Sequence, residues 1–189
     1  MQTNKAIFLD RDGTINVDSG YVYKKEDFIF QPGVVEALQA FNKMGFLLFV
    51  ISNQSGIARG YYTEKEYLSL QTWMVSTLKK AEVDIKACYY CPHLKGAIIK
   101  EYNVDCECRK PKTGLFWKAK NEYNIDFQKS YAIGNMERDL SICQETKVTG
   151  ILFQSNEKTL YPCFDKWEEI VEYIKARENG RRNSCCTSL

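Results

Sequence analysis

The chain has 189 residues, which at about 150 residues per domain makes a single domain the expectation and leaves two independent cores unexpected. Hydrophobic residues are 44% and charged residues 26% of it, the mixture of a globular chain and not of a disordered or collagenous one. Its 26 Lys and Arg nearly balance 24 Asp and Glu, a net charge of +2 that lacks the basic excess of a dedicated nucleic-acid binder, and its longest apolar run, residues 44–51, falls far short of the roughly 20 residues that span a bilayer.

In chain order, residues 5–9 form a short β-prone run that meets Asp10, Arg11 and Asp12 at once, leaving no room for a signal-peptide core, so a cytoplasmic location is expected. Pro32 and Gly33 open a helix carrying Val34, Val35, Leu38 and Phe41 at helical spacing, closed near Gly45. Residues 46–51 are a continuous apolar run suited to a buried parallel strand, completing a β-α-β unit. Thr63 and Glu66 make a capping-box pattern ahead of Tyr67, Leu70, Met74 and Leu78 on one face, predicting a helix to about Lys80. A strand over 85–90, a helix over 115–122, a strand over 131–133, a short helix over 136–143 and a strand over 148–153 follow. A helix over 165–177 ends the domain, and 179–189 read as a solvated tail. Such alternation implies a parallel α/β sheet with helices on both faces and a site beyond the carboxyl ends of its strands.

The chemistry-bearing motifs fall at those ends. Asp10 closes the first strand and Asp12, two residues on, can point to the same side; paired carboxylates need a cation or a shared proton, and Mg²⁺ with a phosphate substrate is the usual hard-cation solution. A lone Asp-Gly would more often be a turn, but companions follow. Ser52-Asn53-Gln54-Ser55-Gly56 offers a hydroxyl and amides for phosphate oxygens, Arg109-Lys110 offers cations, and Gly134-Asn135-Met136-Glu137-Arg138-Asp139 returns oxygen ligands to the same edge.

Eight cysteines in a chain of this length read better through their clustering than as a disulfide framework. Cys91, His93, Cys106 and Cys108 suit a closed tetrahedral zinc site, with ordinary reduced thiols as the alternative. A metal clip there would order a long polar loop and place Arg109 and Lys110, which follow it directly. His93 is the only histidine, so a histidine-dependent triad is disfavoured. Cys88, Cys143 and Cys163 are expected as small core residues, and Cys185 and Cys186 as exposed tail thiols.

In this order the motifs resemble those of the haloacid-dehalogenase-like phosphotransferase superfamily over residues 6–153. Asp18-Ser-Gly-Tyr-Val22, Asn53-Gln-Ser-Gly-Ile-Ala-Arg-Gly60, and Cys91-Pro-His93 with Cys106-Glu-Cys108-Arg-Lys-Pro111 narrow the resemblance to its D-glycero-D-manno-heptose 1,7-bisphosphate 7-phosphatase family. The fold expected is then α/β, a three-layer doubly wound (Rossmann-like) parallel sheet, with one domain over 1–178 and a zinc-binding loop at 91–108. The resemblance implies Mg²⁺-dependent removal of the 7-phosphate through a phosphoaspartate, giving heptose 1-phosphate for nucleotide-activated heptose and lipopolysaccharide biosynthesis. Asp10 would be the nucleophile, Asp12 the acid and base, and Ser52 and Lys110 the stabilisers of the transferring group. Asp18, Ser19, Gly20, Tyr21, Asn53, Gln54, Ser55 and Arg109 would contact the sugar or its second phosphate. Asp10, Asp12 and Asn135 would hold Mg²⁺, and Cys91, His93, Cys106 and Cys108 a structural Zn²⁺. The implied partner is a small-molecule sugar bisphosphate, with no nucleic acid, no membrane and a monomeric chain.

The chain departs from the family at Asn135, where Asp is usual, and at Met136, where Lys is usual. An amide still offers an oxygen but removes a charge, so weaker Mg²⁺ binding is expected, with Asp139 one turn along to compensate. A thioether cannot donate to phosphate. Two other readings stand beside this one: histidinol-phosphate phosphatase, whose zinc loop is generally shorter, and a non-catalytic sugar-phosphate binding module, against which Asp10 and Asp12 argue.

Overall fold

The structure is a computed structural model that describes residues 3–157 and 159–186, with side chains up to residue 181. Six strands, β1 (Ala6–Leu9), β2 (Leu47–Asn53), β3 (Ile85–Cys91), β4 (Tyr131–Gly134), β5 (Thr149–Phe153) and β6 (Cys163–Phe164), form one sheet in the order β3-β2-β1-β4-β5-β6. Every pairing is parallel. Period-two alternation in continuous apolar runs buries both faces. Ile7, Leu9, Leu48, Val50 and Ile133 pack in one core with α1 (Val34–Lys43), α3 (Glu64–Lys80) and α6 (Trp167–Cys186). Ala6, Phe8, Phe49, Ile51 and Ala132 pack in the other with α4 (Gly114–Tyr123) and α5 (Ile142–Glu145). This is the expected three-layer, doubly wound arrangement. The chain runs from β1 to β2 on one side and returns to β4 on the other, so the carboxyl ends of β1 and β4 flank the point where strand order reverses, the usual place for a ligand crevice.

Local chemistry sets the helix ends. Thr63 Oγ1 accepts from Glu66 N at 3.2 Å and Glu66 Oε2 accepts from Thr63 N at 2.7 Å, the reciprocal cap expected, worth about 1 kcal/mol. The α3 stripe of Tyr67, Leu70, Met74 and Leu78 is buried, as its spacing predicts.

Three expectations are corrected. Residues 136–143 do not make one helix: a 3-10 turn, Glu137–Leu140, precedes α5, because the Asp139 side chain folds back to accept from Met136 N at 3.1 Å and pins the turn. The solvated tail from 179 is instead a continuation of α6 to Cys186. Glu178 pairs with Lys5 at 2.7 Å, accepts from Tyr131 Oη and pairs with Arg181, whose Nη2 donates to Gln128 O, tying the helix to β1 and β4. Cys163 is exposed on the two-residue edge strand β6, while Cys88 and Cys143 pack partly buried against the two cores. Residues 187–189 and the Cys185 and Cys186 side chains lie outside what the structure describes. Among the described residues no helix is long and apolar enough to cross a membrane.

Candidate active site

The first strand delivers the acidic pair. Asp10 N continues the ladder by donating to Ile133 O at 2.9 Å, and the chain then folds sharply, with Ile15 N and Asn16 N both donating to Arg11 O. Gly13 permits this turn at φ +81; a Cβ built there would also lie 2.2 Å from Asn135 Nδ2, so the glycine lets the β4 loop close over the acidic turn. Lys110 arrives 100 residues later. Its Nζ donates to Asp10 Oδ1 at 2.6 Å and Ile51 O at 2.7 Å and pairs with Asp139 Oδ1 at 2.7 Å. From the end of β2, Asn53 grips the Lys110 main chain in both directions, Nδ2 to Lys110 O and Lys110 N to Oδ1, each at 3.0 Å.

Asp12 is held differently. Its Oδ1 accepts from Arg11 Nη2 at 2.6 Å and from Arg11 Nε, and its Oδ2 accepts from Gln54 Nε2 at 2.9 Å. Gln54 Nε2 also reaches Ser52 Oγ at 2.7 Å, and the amide is oriented by Tyr62, whose hydroxyl donates to Gln54 Oε1 at 2.6 Å. With both carboxylate oxygens engaged, the main-chain carbonyl is the Asp12 oxygen left for a cation.

Charge on this floor is unbalanced. Burial, then Asp139, push the Asp10 carboxyl up to about 7 against the pull of Lys110, with Asp12 adding to the rise. Burial also works against the Lys110 ammonium, but Asp10 and Asp139 more than offset it and its pKa is raised. One ammonium thus serves two carboxylates in a site nearly closed to water. The donor set of Asp10, Asp12 and Asn135 is all hard oxygen beside surplus negative charge, and it fits Mg²⁺. Asp139 does not compensate for Asn135 as expected, since one of its oxygens is on Lys110 and the other on Met136 N.

Above the floor lies a cleft of about 440 Å³. Asp10, Asp12, Asp18, Gly20, Tyr21, Asn53, Gln54, Ser55, Arg109 and Asn135, all singled out in the sequence, line it. Ser52 and Lys110 are buried beneath it, and Ser19 is exposed in the same loop without lining it. Asp18 also shapes its loop, accepting from Gly20 N at 2.9 Å. Sequence reasoning did not single out Arg59, Tyr62 or Arg138, which complete the wall. Arg59 and Tyr62 lie seven and ten residues past Ser52 on the α2 (Ser55–Ala58) connection; Arg59 falls within the 53–60 stretch that carries the family resemblance, and only proximity to Ser52 could have flagged Tyr62.

Cys91 ends β3 directly opposite Asn53 in the register, and its carbonyl accepts from Gln54 N at 2.8 Å, so the thiol cluster begins beside the cleft. The Cys91, Cys106 and Cys108 sulfurs lie 3.1 to 3.4 Å apart and His93 Nδ1 lies 3.3 Å from Cys108 Sγ. All four ligand atoms fall within 4.8 Å of one another, a set of three soft thiols and one imidazole that fits a closed tetrahedral Zn²⁺. Burial opposes ionisation of Cys106, and donation from Cys108 and Cys91 outweighs it, holding that thiol down to about 7. Arg109 Nη1 donates to His93 O at 3.2 Å, linking the cluster to the cleft wall.

A sequence profile described as Polynucleotide kinase 3 phosphatase matches residues 5–140. The chain is 43% identical over 175 residues to a D-glycero-beta-D-manno-heptose-1,7-bisphosphate 7-phosphatase of Haemophilus influenzae, covering 90% of this chain and 91% of that one. It is 39% identical over 177 residues to a D-glycero-alpha-D-manno-heptose-1,7-bisphosphate 7-phosphatase of Campylobacter jejuni, covering 92% and 98%. A crystal structure of D,D-heptose 1,7-bisphosphate phosphatase from B. bronchiseptica, complexed with magnesium and phosphate, shares the fold with a TM-score of 0.78 at 24% identity, over 92% of this chain and 99% of that one. Fold and strand-end motifs define a haloacid-dehalogenase-like phosphoric monoester hydrolase. Within that class the chain belongs to the D-glycero-D-manno-heptose-1,7-bisphosphate 7-phosphatase family.

Proposed function

We propose that this chain removes the 7-phosphate of D-glycero-D-manno-heptose 1,7-bisphosphate in a Mg²⁺-dependent reaction, leaving heptose 1-phosphate. The observation that carries the reading is Lys110 Nζ bridging Asp10 and Asp139 at the carboxyl end of the sheet, with Asp12 held two residues from Asp10. Asp10 Oδ attacks phosphorus, the bond from phosphorus to the sugar oxygen breaks, and Asp12 gives its proton to that leaving oxygen. Asp12 then takes a proton from water, which attacks the phosphoaspartate and frees phosphate. Arg11 and Gln54 hold Asp12 for both transfers, while Lys110 and Ser52 bind the transferring oxygens. Asp10, Asp12 and Asn135 would hold Mg²⁺, which would offset the repulsion between the anionic nucleophile and the phosphate.

The test is phosphate release in Mg²⁺ from both anomers of the bisphosphate, with phosphorus NMR of the product. Heptose 1-phosphate supports the assignment; heptose 7-phosphate, or faster turnover of histidinol phosphate, overturns it. Zn²⁺ on Cys91, His93, Cys106 and Cys108 is structural in this reading, since four protein ligands leave no place for a reacting water. The substrate is a small molecule met by a monomer in the cytoplasm, and its product feeds nucleotide-activated heptose for lipopolysaccharide.

Two expected results concern the Mg²⁺ site. Asn135→Asp restores an anionic oxygen, and affinity should rise about tenfold, near 1.4 kcal/mol, after added repulsion from Asp10 is set against the attraction. Calorimetric Mg²⁺ titration of both proteins checks it, and unchanged affinity means position 135 is not a ligand. Metal and proton also compete for Asp10. With its carboxyl raised to about 7, Mg²⁺ binding at about pH 6 should release close to one proton, and affinity should climb up to about tenfold per pH unit before levelling above 7. Calorimetry in two buffers of different ionisation enthalpy counts the proton; a count near zero removes Asp10 from the ligand set.

A further inference from the structure

The cleft floor accounts for one phosphoryl group, met by Lys110, Ser52 and Asp10. Its wall holds three arginines that the chemistry does not use: Arg59, Arg109 and Arg138. Among the described residues the arginine ion pairs belong to Arg11 and Arg181, and none of these three forms one, although Asp18 lines the same cleft. Arg59 Nε is buried with no hydrogen-bond partner, a donor whose desolvation is uncompensated within the protein. Arg109 commits one nitrogen to His93 O. Arg138 is exposed on the 3-10 turn Glu137–Leu140, and Met136 on the same wall offers no donor.

That turn is anchored on both sides of Arg138. Asp139 is fixed by Lys110 and Met136 N, and Glu137 N donates to Glu157. The anchored turn fixes where the Arg138 side chain starts, and its planar guanidinium fork matches phosphate oxygens in pairs. Three such forks around a cleft whose floor binds one phosphoryl group call for a second anionic group on the same small molecule. We propose that Arg138 is a specificity-determining residue that binds the second phosphate of the substrate from the rim of the cleft that Arg59 and Arg109 also line. This rests on the bisphosphate reading above and adds which residue enforces it.

The experiment compares kcat/KM for heptose 1,7-bisphosphate and for heptose 7-phosphate in the wild-type enzyme, Arg138→Gln and Arg138→Lys. Wild type should prefer the bisphosphate, and Arg138→Gln should cut that preference about tenfold, through a raised KM for the bisphosphate with kcat changed less, as expected of a partly solvated phosphate contact. Arg138→Lys, which keeps charge without the fork, should recover part of it. A loss shared equally by both substrates, a loss confined to kcat, or no change overturns the role of Arg138. If the wild-type enzyme turns over neither heptose phosphate, the functional reading itself fails, and the assignment of Arg138 falls with it.

Discussion

Asp10→Asn should abolish turnover, by about 10⁴-fold or more, while the protein stays folded. An amide has no anionic oxygen with which to attack phosphorus, and a residue that forms the covalent intermediate is not partly replaceable by its neighbours. The stability of this variant makes a second, opposite prediction. In the metal-free wild type the Asp10 carboxyl is raised from 3.8 to about 7, so its ionisation is harder folded than unfolded. The resulting cost is absent below about 4, grows as pH rises through that window and is constant above about 7. Asn carries no such cost. The melting temperature of Asp10→Asn relative to wild type should therefore rise between about pH 4 and about pH 7, with circular dichroism as the measurement. Residual activity within tenfold of wild type would remove Asp10 as nucleophile, and a flat stability difference across that window would mean that burial, Asp139 and Asp12 do not together raise the Asp10 carboxyl.

Cys106→Ser should lose zinc and lower stability by about 3 kcal/mol, the scale of leaving a loop of some 15 residues unclosed, which for a domain of this size is about 6 to 12 °C in melting temperature. Kinetics should divide unevenly. Arg109 depends on the loop through His93 O, whereas Lys110 is also held by Asn53, Ile51 O, Asp10 and Asp139. KM for the bisphosphate should rise severalfold more than kcat falls. Metal analysis of the native protein with no zinc, or a variant that keeps its zinc, contradicts the assignment; an equal or larger fall in kcat means the loop also positions Lys110.

The strands and long helices were legible because their signals are local. The capping box at Thr63 and the stripe from Tyr67 to Leu78 gave α3, and the apolar runs ending at Leu9 and Ile51 gave the two strands that carry Asp10 and Ser52. Motif order was enough to place Lys110 beside Asp10 across 100 residues of chain. What escaped depended on partners remote in sequence. The 3-10 turn after Met136 goes with Asp139, one oxygen of which takes Met136 N and the other the remote Lys110, and the length of α6 goes with Glu178 meeting Lys5, 173 residues away. Arg59 and Arg138 sit inside motifs read from the sequence, but nothing in those motifs shows which side chains face one space; the cleft does. Asp139 could be read as a spare metal ligand because spacing gives distance along a helix and not which cation a carboxylate has already met.

The double grip of Asn53 on the Lys110 main chain, set against the single hydrogen bond from Arg109 to His93, draws a boundary between adjacent residues. On one side the lysine belongs to the sheet; on the other the arginine belongs to the loop. Changes of length or sequence in residues 94–105 can therefore re-aim the arginine without disturbing the lysine. Evolution could exchange that loop as a cassette, altering which phosphorylated small molecule is accepted while inheriting the hydrolytic machinery intact. Grafting loops of other lengths between Cys91 and Lys110 is accordingly a more direct route to new substrates than altering the strand ends themselves.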